Sequence, residues 1–460
     1  MDSQETSFSL LMLPWLAHGH ISPFLELAKQ LAKRNFHVYL CSTPINLSSI
    51  EERIVELENQ SLSIEIVELH LPSSPELPPH YHTTNGLPIH LQPTLRKAFE
   101  MASPSLSNIL KTLNPHLFIN DVVYQWPSAV ASSHNIPVIQ FQSSSAAMVS
   151  YFSHLLRTPD VEYPFPAVYL RDFELAKMLH ILEASTSNGQ GSDSEREDSS
   201  HFVLIKSSNE IEGKYIDYIS SMIKRKVMPV GPIIKDPVRK DENLEVIEWL
   251  EKKHHCSSVF VSFGSECFLS KEEMEEIANG LELSNVNFIW VVRFPLGDET
   301  MVEDALPKGF LERVGDTGIV IKGWAPQEKI LRHSSIGGFV THCGWNSVLE
   351  SMEFGVPIIA MPMQFDQPLN ARLMVELGVG MEVWRDNSGK LHREEIAKVI
   401  REVIVDKRGE AMRRKAKELG EKIRLKGDEE MNGAVEAISQ LCQKTKRRSN
   451  GHTIISPRLV

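Results

Sequence analysis

The stretch FSLLMLPWLAHGHISPFLELAKQLAKRNFHVYLCS, residues 8–42, combines the hydrophobic periods of a strand and of a helix. FSLLML is typical of a buried strand, and Ser22 and Pro23 stand where a helix N-cap and a first helical residue are expected. Apolar residues then recur at helical spacing from Phe24 to Leu31, and HVYLCS indicates another strand. The stretch therefore predicts a β-α-β unit, with parallel strands joined by a right-handed crossover.

The alternation of strands and helices continues in two series along the chain. HLFIND at residues 116–121, WPSAVASSHN and IPVIQF extend the first series, and SSVFVSFGSE at residues 257–266 begins the second. This pattern predicts an α/β protein with two Rossmann-like, doubly wound domains that face each other across a cleft. Ligands of such sheets bind beyond the carboxyl ends of the strands, so we expect functional residues directly after strands.

Proline-rich and polar segments indicate the limits of the domains. MPVGPIIKDP, residues 228–237, carries three prolines and separates the two series. We expect an N-terminal domain at residues 1–235, a C-terminal domain at residues 236–445 and a disordered basic tail at residues 446–460. ASTSNGQGSDSERED, residues 184–198, is rich in Ser, Gly and acidic residues and predicts a mobile loop.

The composition excludes several classes of protein. Hydrophobic residues make up 42% of the 460 residues and charged residues 23%, a balance typical of soluble globular proteins. The net charge of -12 argues against a broad nucleic-acid surface, which requires clustered Lys and Arg. The first residues lack the basic region of a signal peptide, and no apolar run is long enough to span a bilayer. Five scattered cysteines without metal or disulfide spacing predict a reducing, cytoplasmic location.

The most informative motif is WAPQEKILRHSSIGGFVTHCGWNSVLESMEFGVPIIAMPMQFDQ, residues 324–367. Within it GGFVTH predicts a strand, CGWNS a tight turn and SVLESMEF the start of a helix. Backbone N–H groups at such a start carry the positive end of the helix dipole and suit a diphosphate. Gly344 would let a ligand approach closely, and His342, Asn346 and Ser347 would add hydrogen-bond donors. The alternative is that Asn346 and Ser347 only cap the helix.

This motif resembles, without a gap, the signature box of plant family-one UDP-sugar glycosyltransferases. The resemblance covers nearly the whole chain and implies the two-domain glycosyltransferase-B fold. It also implies that Trp324 stacks on the uracil, that the Ala325 backbone pairs with the edge of the base, and that Gln327 and Glu350 hold ribose hydroxyls. These residue types fit, because a flat indole suits a base and a carboxylate accepts two hydroxyl protons.

The same resemblance assigns residues to the rest of the donor. His342, Asn346 and Ser347 bind the phosphates in this assignment, and Trp345, Asp366 and Gln367 face the sugar. Ser265, in FGSE after SVFVSF, resembles a further phosphate contact, although a turn serine is the plain alternative. Members of the family bind the donor without a metal, and adjacent residues such as His342 and Cys343 point to opposite faces of a strand. We therefore expect no metal site and no bound cofactor.

Two residues of the N-terminal half indicate acid–base chemistry. His20, in PWLAHGHISP, resembles the family's catalytic base, and His titrates near neutral pH. Taken alone it would be a structural histidine, but its expected place at the cleft favours the base, whereas His18 is expected to line the entrance. Asp121 ends HLFIND and resembles the carboxylate that orients this base. A role for Asp121 as N-cap of the helix in WPSAVA stays open beside the pairing role.

The resemblance also suggests the substrates. A terminal Gln, here Gln367, accompanies glucose in this family and predicts UDP-glucose as co-substrate. LPSSPELPPHYHTTNGLP, residues 71–88, and the stretch that begins at PWLAHGH resemble the branch-forming subgroup, which adds a sugar to a sugar. Exposed polar residues from His82 to Asn85 suit a sugar acceptor or an ordinary turn. We predict a monomeric, inverting, metal-independent glucosyltransferase that forms a β-glucoside on a terpenoid or flavonoid glycoside, without nucleic-acid or membrane partners.

Three other functions compete with this prediction. A glucosyltransferase that acts directly on a small aglycone is the nearest alternative. A nucleotide-sugar binding protein without catalysis would need neither His20 nor Asp121. An NAD-dependent oxidoreductase would require a Gly-x-Gly-x-x-Gly turn after a strand, and neither FGSE nor HCGWNS supplies one.

Overall fold

The computed structural model describes residues 8–58, 61–186, 200–234, 244–264, 267–295 and 300–451. Ser265 lies outside the described residues, as do positions 187–198 of the predicted mobile loop and positions 235–237 of the expected boundary segment. In the described part of the chain, no helix combines the length and the apolarity needed to cross a bilayer.

The first half of the chain forms a seven-stranded parallel sheet in the order β3-β2-β1-β4-β5-β6-β7. Its strands are β1 (Phe8–Leu13), β2 (Phe36–Ser42), β3 (Ile64–Glu68), β4 (Leu117–Asp121), β5 (Val138–Gln142), β6 (Val203–Ile205) and β7 (Val227–Pro229). The predicted β-α-β unit is confirmed, because β1 and β2 pair in parallel with Phe8 opposite Phe36.

The second half forms a six-stranded parallel sheet in the order β10-β9-β8-β11-β12-β13. Its strands are β8 (Ser258–Ser262), β9 (Asn287–Val292), β10 (Gly318–Lys322), β11 (Ile336–Thr341), β12 (Ile358–Ala360) and β13 (Gly380–Glu382). In both sheets the strand order reverses beside the first strand, which is the point where doubly wound sheets bind ligands. The predicted pair of Rossmann-like domains is confirmed.

Helices cover the faces of both sheets. In the first half they are α1 (His18–Ala32), α2 (Pro44–Ser48), α3 (Glu51–Glu58), α4 (Gln92–Glu100), α5 (Ser103–Leu113), α6 (Trp126–Ser133), α7 (Ala146–Arg157), α8 (Asp172–Thr186) and α9 (Asn209–Ile223). In the second half they are α10 (Leu244–Glu251), α11 (Lys271–Ser284), α12 (Val302–Ala305), α13 (Phe310–Val314), α14 (Gln327–Leu331), α15 (Trp345–Glu353), α16 (Gln367–Glu376), α17 (Arg393–Ile404) and α18 (Lys407–Gly451). Short 3₁₀ turns lie at Pro79–Tyr81, Ile89–Leu91 and Gly315–Thr317.

The start of α1 differs from the prediction. The helix begins at His18 after Ala17, so Ser22 and Pro23 lie inside it and do not form its N-cap and first residue. Pro23 has no N–H to donate to the carbonyl four residues earlier, which belongs to Gly19. Gly19 is exposed, so water can satisfy that carbonyl and the helix tolerates the proline. As a result His20 lies in the first turn of α1.

The last helix joins the two domains. Ala416 and Ile423 of α18 pack in a cluster with residues of α15, whereas Met431 and Ile438 pack in the core beneath β1 and α1. The sequence placed residues up to 445 in the C-terminal domain, but the apolar face of α18 continues onto the first sheet. The expected tail is helical as far as Gly451, and residues 452–460 lie outside the described residues.

The domains also share an apolar interface beside the cleft. Ala146 and Tyr151 of α7 pack in one buried cluster with Trp345 and Val348 of α15 and Leu373 of α16. Burial of apolar area contributes about 25 cal/mol per Å², so a continuous core of this kind stabilises the relative position of the two domains. Lys206, directly after β6, consequently contacts the start of α15, and Ser145, in the loop after β5, contacts Asn370 of α16.

Candidate active site

His20 and Asp121 form a hydrogen-bonded pair at the carboxyl ends of two adjacent strands. Nδ1 of His20 lies 2.7 Å from Oδ2 of Asp121, with the side chains 27% and 5% exposed. Ser143, directly after β5, places its hydroxyl 3.2 Å from the same Nδ1. Because an ionised carboxylate only accepts hydrogen bonds, Nδ1 carries the proton and Nε2 carries the lone pair. This tautomer is the one that a general base requires.

Asp121 is fixed in place by the backbone around it. Its Oδ2 also accepts from the Trp15 N–H at 3.1 Å, and its Oδ1 accepts from the Val123 N–H at 3.2 Å. The alternative that Asp121 caps the following helix is wrong, because α6 begins at Trp126 with Gln125 as its N-cap and no side-chain cap. The carboxylate therefore organises the turn after β4 and the imidazole, and not the helix.

An open cavity in the C-terminal domain brings the start of the signature box together with residues from its middle. Trp324 and Glu350 line the same cavity, of about 820 Å³ including its mouth, with Ala325, Gln327 and Ser347. The Trp324 side chain is 43% exposed, which leaves an aromatic face open to a stacked ring. The arrangement fits a flat base at Trp324 and a hydroxylated ring at Glu350.

Gln327 and Glu350 form a polar group at the floor of this cavity. Nε2 of Gln327 donates to Oε2 of Glu350 at 2.5 Å and lies 3.3 Å from the hydroxyl of Ser347. Gln327 begins α14 and Glu350 lies in the second turn of α15, so their side chains meet only through the fold. The N–H of Gln327 also donates to the Ala325 carbonyl at 2.8 Å, which retains a second lone pair for a base edge.

The start of α15 is open to an anion. Its N-cap is Gly344, which offers no side-chain cap, and Asn346 and Ser347 are the second and third residues of the helix. The alternative that these two residues cap the helix is therefore wrong. The indole of Trp345 is buried and donates to the Lys206 carbonyl at 2.7 Å. Its side chain is thus turned into the domain interface, and its predicted role at the donor sugar stays a prediction.

His342 is held between two glycines. A Cβ at Gly344 would lie 2.7 Å from Nε2 of His342, and one at Gly264, where φ is +78°, would lie 2.7 Å from Cε1. The absence of a side chain at Gly344 therefore leaves room for the imidazole of His342, and the predicted approach of a ligand at Gly344 stays a prediction. Burial lowers the pKa of His342 to about 4, so the ring is neutral at pH 7 and offers a single N–H. Cys343, the next residue, has a strained φ of 67°.

Asp366 connects the two halves of the site. It is half-buried, accepts from Nδ2 of Asn370 at 2.8 Å, and lies close enough to His20 that a charged imidazole would lower its pKa. Burial dominates and raises the pKa of Asp366 above its ordinary value. The Asn370 amide oxygen accepts from the Ser145 hydroxyl at 2.5 Å, which ties the loop after β5 to α16.

The structure fixes the amide oxygen of Gln367 and buries the first half of the polar segment from His82 to Asn85. Gln367 is buried, and its Oε1 accepts from the N–H groups of Met363 and Gln364 at 2.9 Å, so its oxygen shapes its own loop. His82 and Thr83 are buried and not exposed, and the His82 carbonyl accepts from the Thr43 hydroxyl at 2.7 Å. Thr84 is half-buried and Asn85 is exposed, so only the second half of the predicted polar segment is accessible.

Three residues near the site were missed by the sequence interpretation. Ser143 follows β5, Lys206 follows β6 and contacts Asn346, and Arg293 follows β9 and lines the cavity beside Trp324. Nε of Arg293 is buried without a hydrogen-bond partner, and burial lowers its pKa. All three stand directly after a strand, which is the signal that should have identified them.

Comparison with known proteins agrees with this geometry. A family model described as "UDP-glucoronosyl and UDP-glucosyl transferase" matches residues 227–416, and one described as "Glycosyltransferase, N-terminal domain" matches residues 6–235. The chain is 53% identical over 446 residues to a Gardenia jasminoides protein named beta-D-glucosyl crocetin beta-1,6-glucosyltransferase, across 95% of this chain and 100% of that protein.

Solved structures show the same arrangement of domains. Glycyrrhiza uralensis UGT73P12, complexed with glycyrrhetinic acid 3-O-monoglucuronide, superposes with a TM-score of 0.82 at 25% identity, over 98% of this chain and 99% of that one. Phytolacca americana UGT2, complexed with UDP-2fluoro-glucose and pterostilbene, gives a TM-score of 0.75 at 27% identity, over 95% and 100%. The fold is glycosyltransferase-B, as the sequence predicted, and the chain belongs to the plant family-one UDP-sugar glycosyltransferases.

Proposed function

We propose that this protein transfers glucose from UDP-glucose to a sugar hydroxyl of a plant natural-product glycoside, with inversion at the anomeric carbon. The observation that supports the proposal is the hydrogen-bonded His20–Asp121 pair, whose imidazole when charged would act electrostatically on Asp366 of the other domain. The proposed base is thereby near one residue, Asp366, that the signature box assigns to the donor sugar.

In the proposed reaction His20 acts as the base. Nε2 takes the proton of the acceptor hydroxyl while that oxygen attacks C1 of glucose, and the bond between C1 and the UDP oxygen breaks. The imidazolium that forms is stabilised by Asp121, which accepts from Nδ1 at 2.7 Å. Attack opposite the leaving group converts the α-linked donor to a β-glucoside.

The leaving diphosphate is assigned to the start of α15. Backbone N–H groups there, together with His342 and Ser347, would meet the charge that develops on UDP. Ser265, which lies outside the described residues, is proposed as a further contact. His342 contributes as a neutral donor, because burial holds its pKa near 4. Uracil is assigned to Trp324 and Ala325, and ribose to Gln327 and Glu350, which share one cavity.

Glucose is proposed as the donor sugar from the ending of the box. Asp366 and Gln367 occupy the loop before α16, where Asp366 lies close to His20. Competition of UDP-glucose with UDP-galactose, UDP-xylose and UDP-glucuronate measures this choice directly. A preference of less than about tenfold for UDP-glucose, a difference of about 1.4 kcal/mol, would contradict it.

A glycoside is proposed as the acceptor because the Gardenia relative is named for transfer to a glucosyl group and the chain matches it over its whole length. Of the polar residues from His82 to Asn85, His82 and Thr83 are buried and give no support to this choice, whereas Asn85 is exposed. Rates with matched pairs of terpenoid or flavonoid aglycones and their monoglucosides test it. Faster transfer to the aglycones would favour the alternative of direct aglycone glucosylation.

The chain is further proposed to act as a cytoplasmic monomer. All five cysteines are free thiols in the structure, and burial raises the pKa of Cys41 to about 12. Unpaired buried thiols suit a reducing compartment. Fractionation of plant tissue and size-exclusion chromatography with light scattering test the two statements separately.

His20→Ala tests the function as a whole. The variant should lose UDP release from UDP-glucose and a glycoside panel, and it should bind UDP with unchanged affinity because His20 lies outside the Trp324 cavity. Turnover near that of the wild type would remove His20 from the mechanism. Binding of UDP without turnover in the wild-type protein would instead favour the non-catalytic alternative.

A further inference from the structure

Lys206 is a buried lysine at the interface between the two domains. It directly follows β6, and its N–H donates to the Gln142 carbonyl at 2.9 Å, which continues the ladder of the first sheet. It is 5% exposed, and lysine is almost never buried to this extent unless a partner compensates its charge. Its surroundings therefore require an explanation.

Both the main chain and the side chain of Lys206 contact the start of α15. The carbonyl accepts from Nε1 of Trp345 at 2.7 Å, and Nζ donates to Oδ1 of Asn346 at 2.7 Å. Because an ammonium group only donates, the amide of Asn346 must turn its oxygen to the lysine. Its NH₂ group, a double donor, is consequently directed away from Lys206.

The charge of Lys206 is poorly compensated by the protein. Its partner Asn346 is neutral, and the nearby helix start is the positive end of the α15 dipole. Glu350 and Glu26 are the carboxylates that act on it, but burial outweighs both and lowers the pKa of Lys206 to about 8. Glu26 is already paired with Lys29 at 2.7 Å and with Arg53. Among the described residues, no carboxylate forms an ion pair with Lys206, so a diphosphate bound at the start of α15 would add negative charge close to it.

We propose that Lys206 is a positioning residue for the donor diphosphate, which orients the Asn346 amide and adds a positive charge behind the start of α15. The inference rests on the proposed use of a UDP-sugar. Lys206 belongs to the first domain and Asn346 to the second, so donor binding would strengthen a contact between domains. The buried ammonium, unfavourable in the empty protein, would become favourable once the diphosphate is bound.

Lys206→Met tests the proposal, because methionine has a similar length without charge or N–H donors. Calorimetry with UDP, UMP and uridine separates the phosphates from the nucleoside, since uridine fills only the cavity at Trp324 and Glu350. We expect UDP to bind about tenfold or more weakly, as for a lost hydrogen bond to a charged group, and uridine to bind within about twofold. The melting temperature without ligand should stay equal or rise, since a buried charge has been removed.

Lys29→Met is the matched control. Lys29 is also buried, but its Nζ is paired with Glu26 at 2.7 Å, so its loss should lower stability and leave the ratio of UDP to uridine affinity unchanged. The proposal would be overturned if Lys206→Met weakened the binding of UDP and uridine equally, with or without a lower melting temperature. It would also be overturned if the variant bound UDP with unchanged affinity. Failure of the wild-type protein to bind UDP would instead overturn the proposed function.

Discussion

The contacts of Asp121 allow the effect of Asp121→Asn to be worked out. Three donors reach its two oxygens, since His20 Nδ1 at 2.7 Å and the Trp15 N–H at 3.1 Å share Oδ2, and the Val123 N–H at 3.2 Å takes Oδ1. Asparagine offers one acceptor oxygen and one NH₂ donor. Either orientation of the amide therefore sets a donor against a donor.

Both orientations weaken the base. With the oxygen at the Oδ2 position, the NH₂ opposes the Val123 N–H, which costs about 1–3 kcal/mol, and the bond to His20 loses its charge assistance. With the amide reversed, the NH₂ faces Nδ1, and the imidazole proton must move to Nε2. We expect kcat to fall by about 10²–10⁴, the range for general base catalysis. KM for UDP-glucose should change by less than about threefold, because Asp121 lies outside the donor cavity.

Initial rates of UDP release in a double-mutant cycle provide the assay. If Asp121 acts through His20, adding Asp121→Asn to His20→Ala should lower the residual rate by less than about threefold. A single Asp121→Asn variant with kcat within tenfold of the wild type would refute the reasoning. So would a further hundredfold loss in the His20→Ala background, since the carboxylate would then act by another route.

Three further predictions concern the glycines, a buried carboxyl and the interdomain ion pairs. Gly344→Ala would place a Cβ 2.7 Å from His342, so it should displace the imidazole and weaken UDP binding about tenfold in calorimetry. Gly433→Ala is the control, because a Cβ there has nothing within 4 Å, and it should leave UDP affinity unchanged. Equal UDP affinities of the two variants would contradict this role of Gly344. Burial raises the pKa of Glu212 from 4.5 to about 7, so the unfolded chain releases its proton first and the free energy of unfolding falls as pH rises through this window. In urea titrations at pH 5 and 7.5, the free energy of unfolding of Glu212→Gln should fall less between the two pH values than that of the wild type. An equal fall in both proteins would contradict this assignment to Glu212. Arg372→Met removes a cation from the buried carboxylates of Glu174 and Glu382, so it should lower the free energy of unfolding by about 3–5 kcal/mol. Arg408→Met removes the cation of a more exposed pair with Glu402 and should lower it by less than about 1 kcal/mol. Similar losses in both arginine variants would contradict the burial argument.

Strand ends explain why the sequence interpretation identified His20 and Asp121, whose side chains the structure brings together. His20 and Asp121 were identified because each stands at the end of a buried apolar run, and parallel strands bring such ends to one edge. The same rule would have found Ser143, Lys206 and Arg293, but these residues carry no motif of their own. A single residue after a strand is informative only when its neighbours across the sheet are known.

Side-chain direction could not be predicted from the motif. The indole of Trp345 donates to a carbonyl of the other domain, and the amide oxygen of Gln367 accepts from its own loop, while the assignment of both residues to the donor sugar stays a prediction. Gly344, which the motif assigns to the donor, also leaves room for the ring of His342. These outcomes depend on which donors and acceptors lie within about 3 Å, and local sequence does not contain that information.

The sequence by itself determined the two doubly wound sheets, the cleft between them and the chemistry available at the strand ends, because periodicity and residue type act locally. Only the tertiary structure decided that α18 returns to the first domain, that His342 fits between two glycines and that Lys206 meets Asn346. Gly264 and His342 are 78 positions apart, Lys206 and Asn346 are 140 apart, and the first core combines Leu10 with Met431, which are more than 400 apart. Their energies come from burial and desolvation, which exist only once the chain has packed.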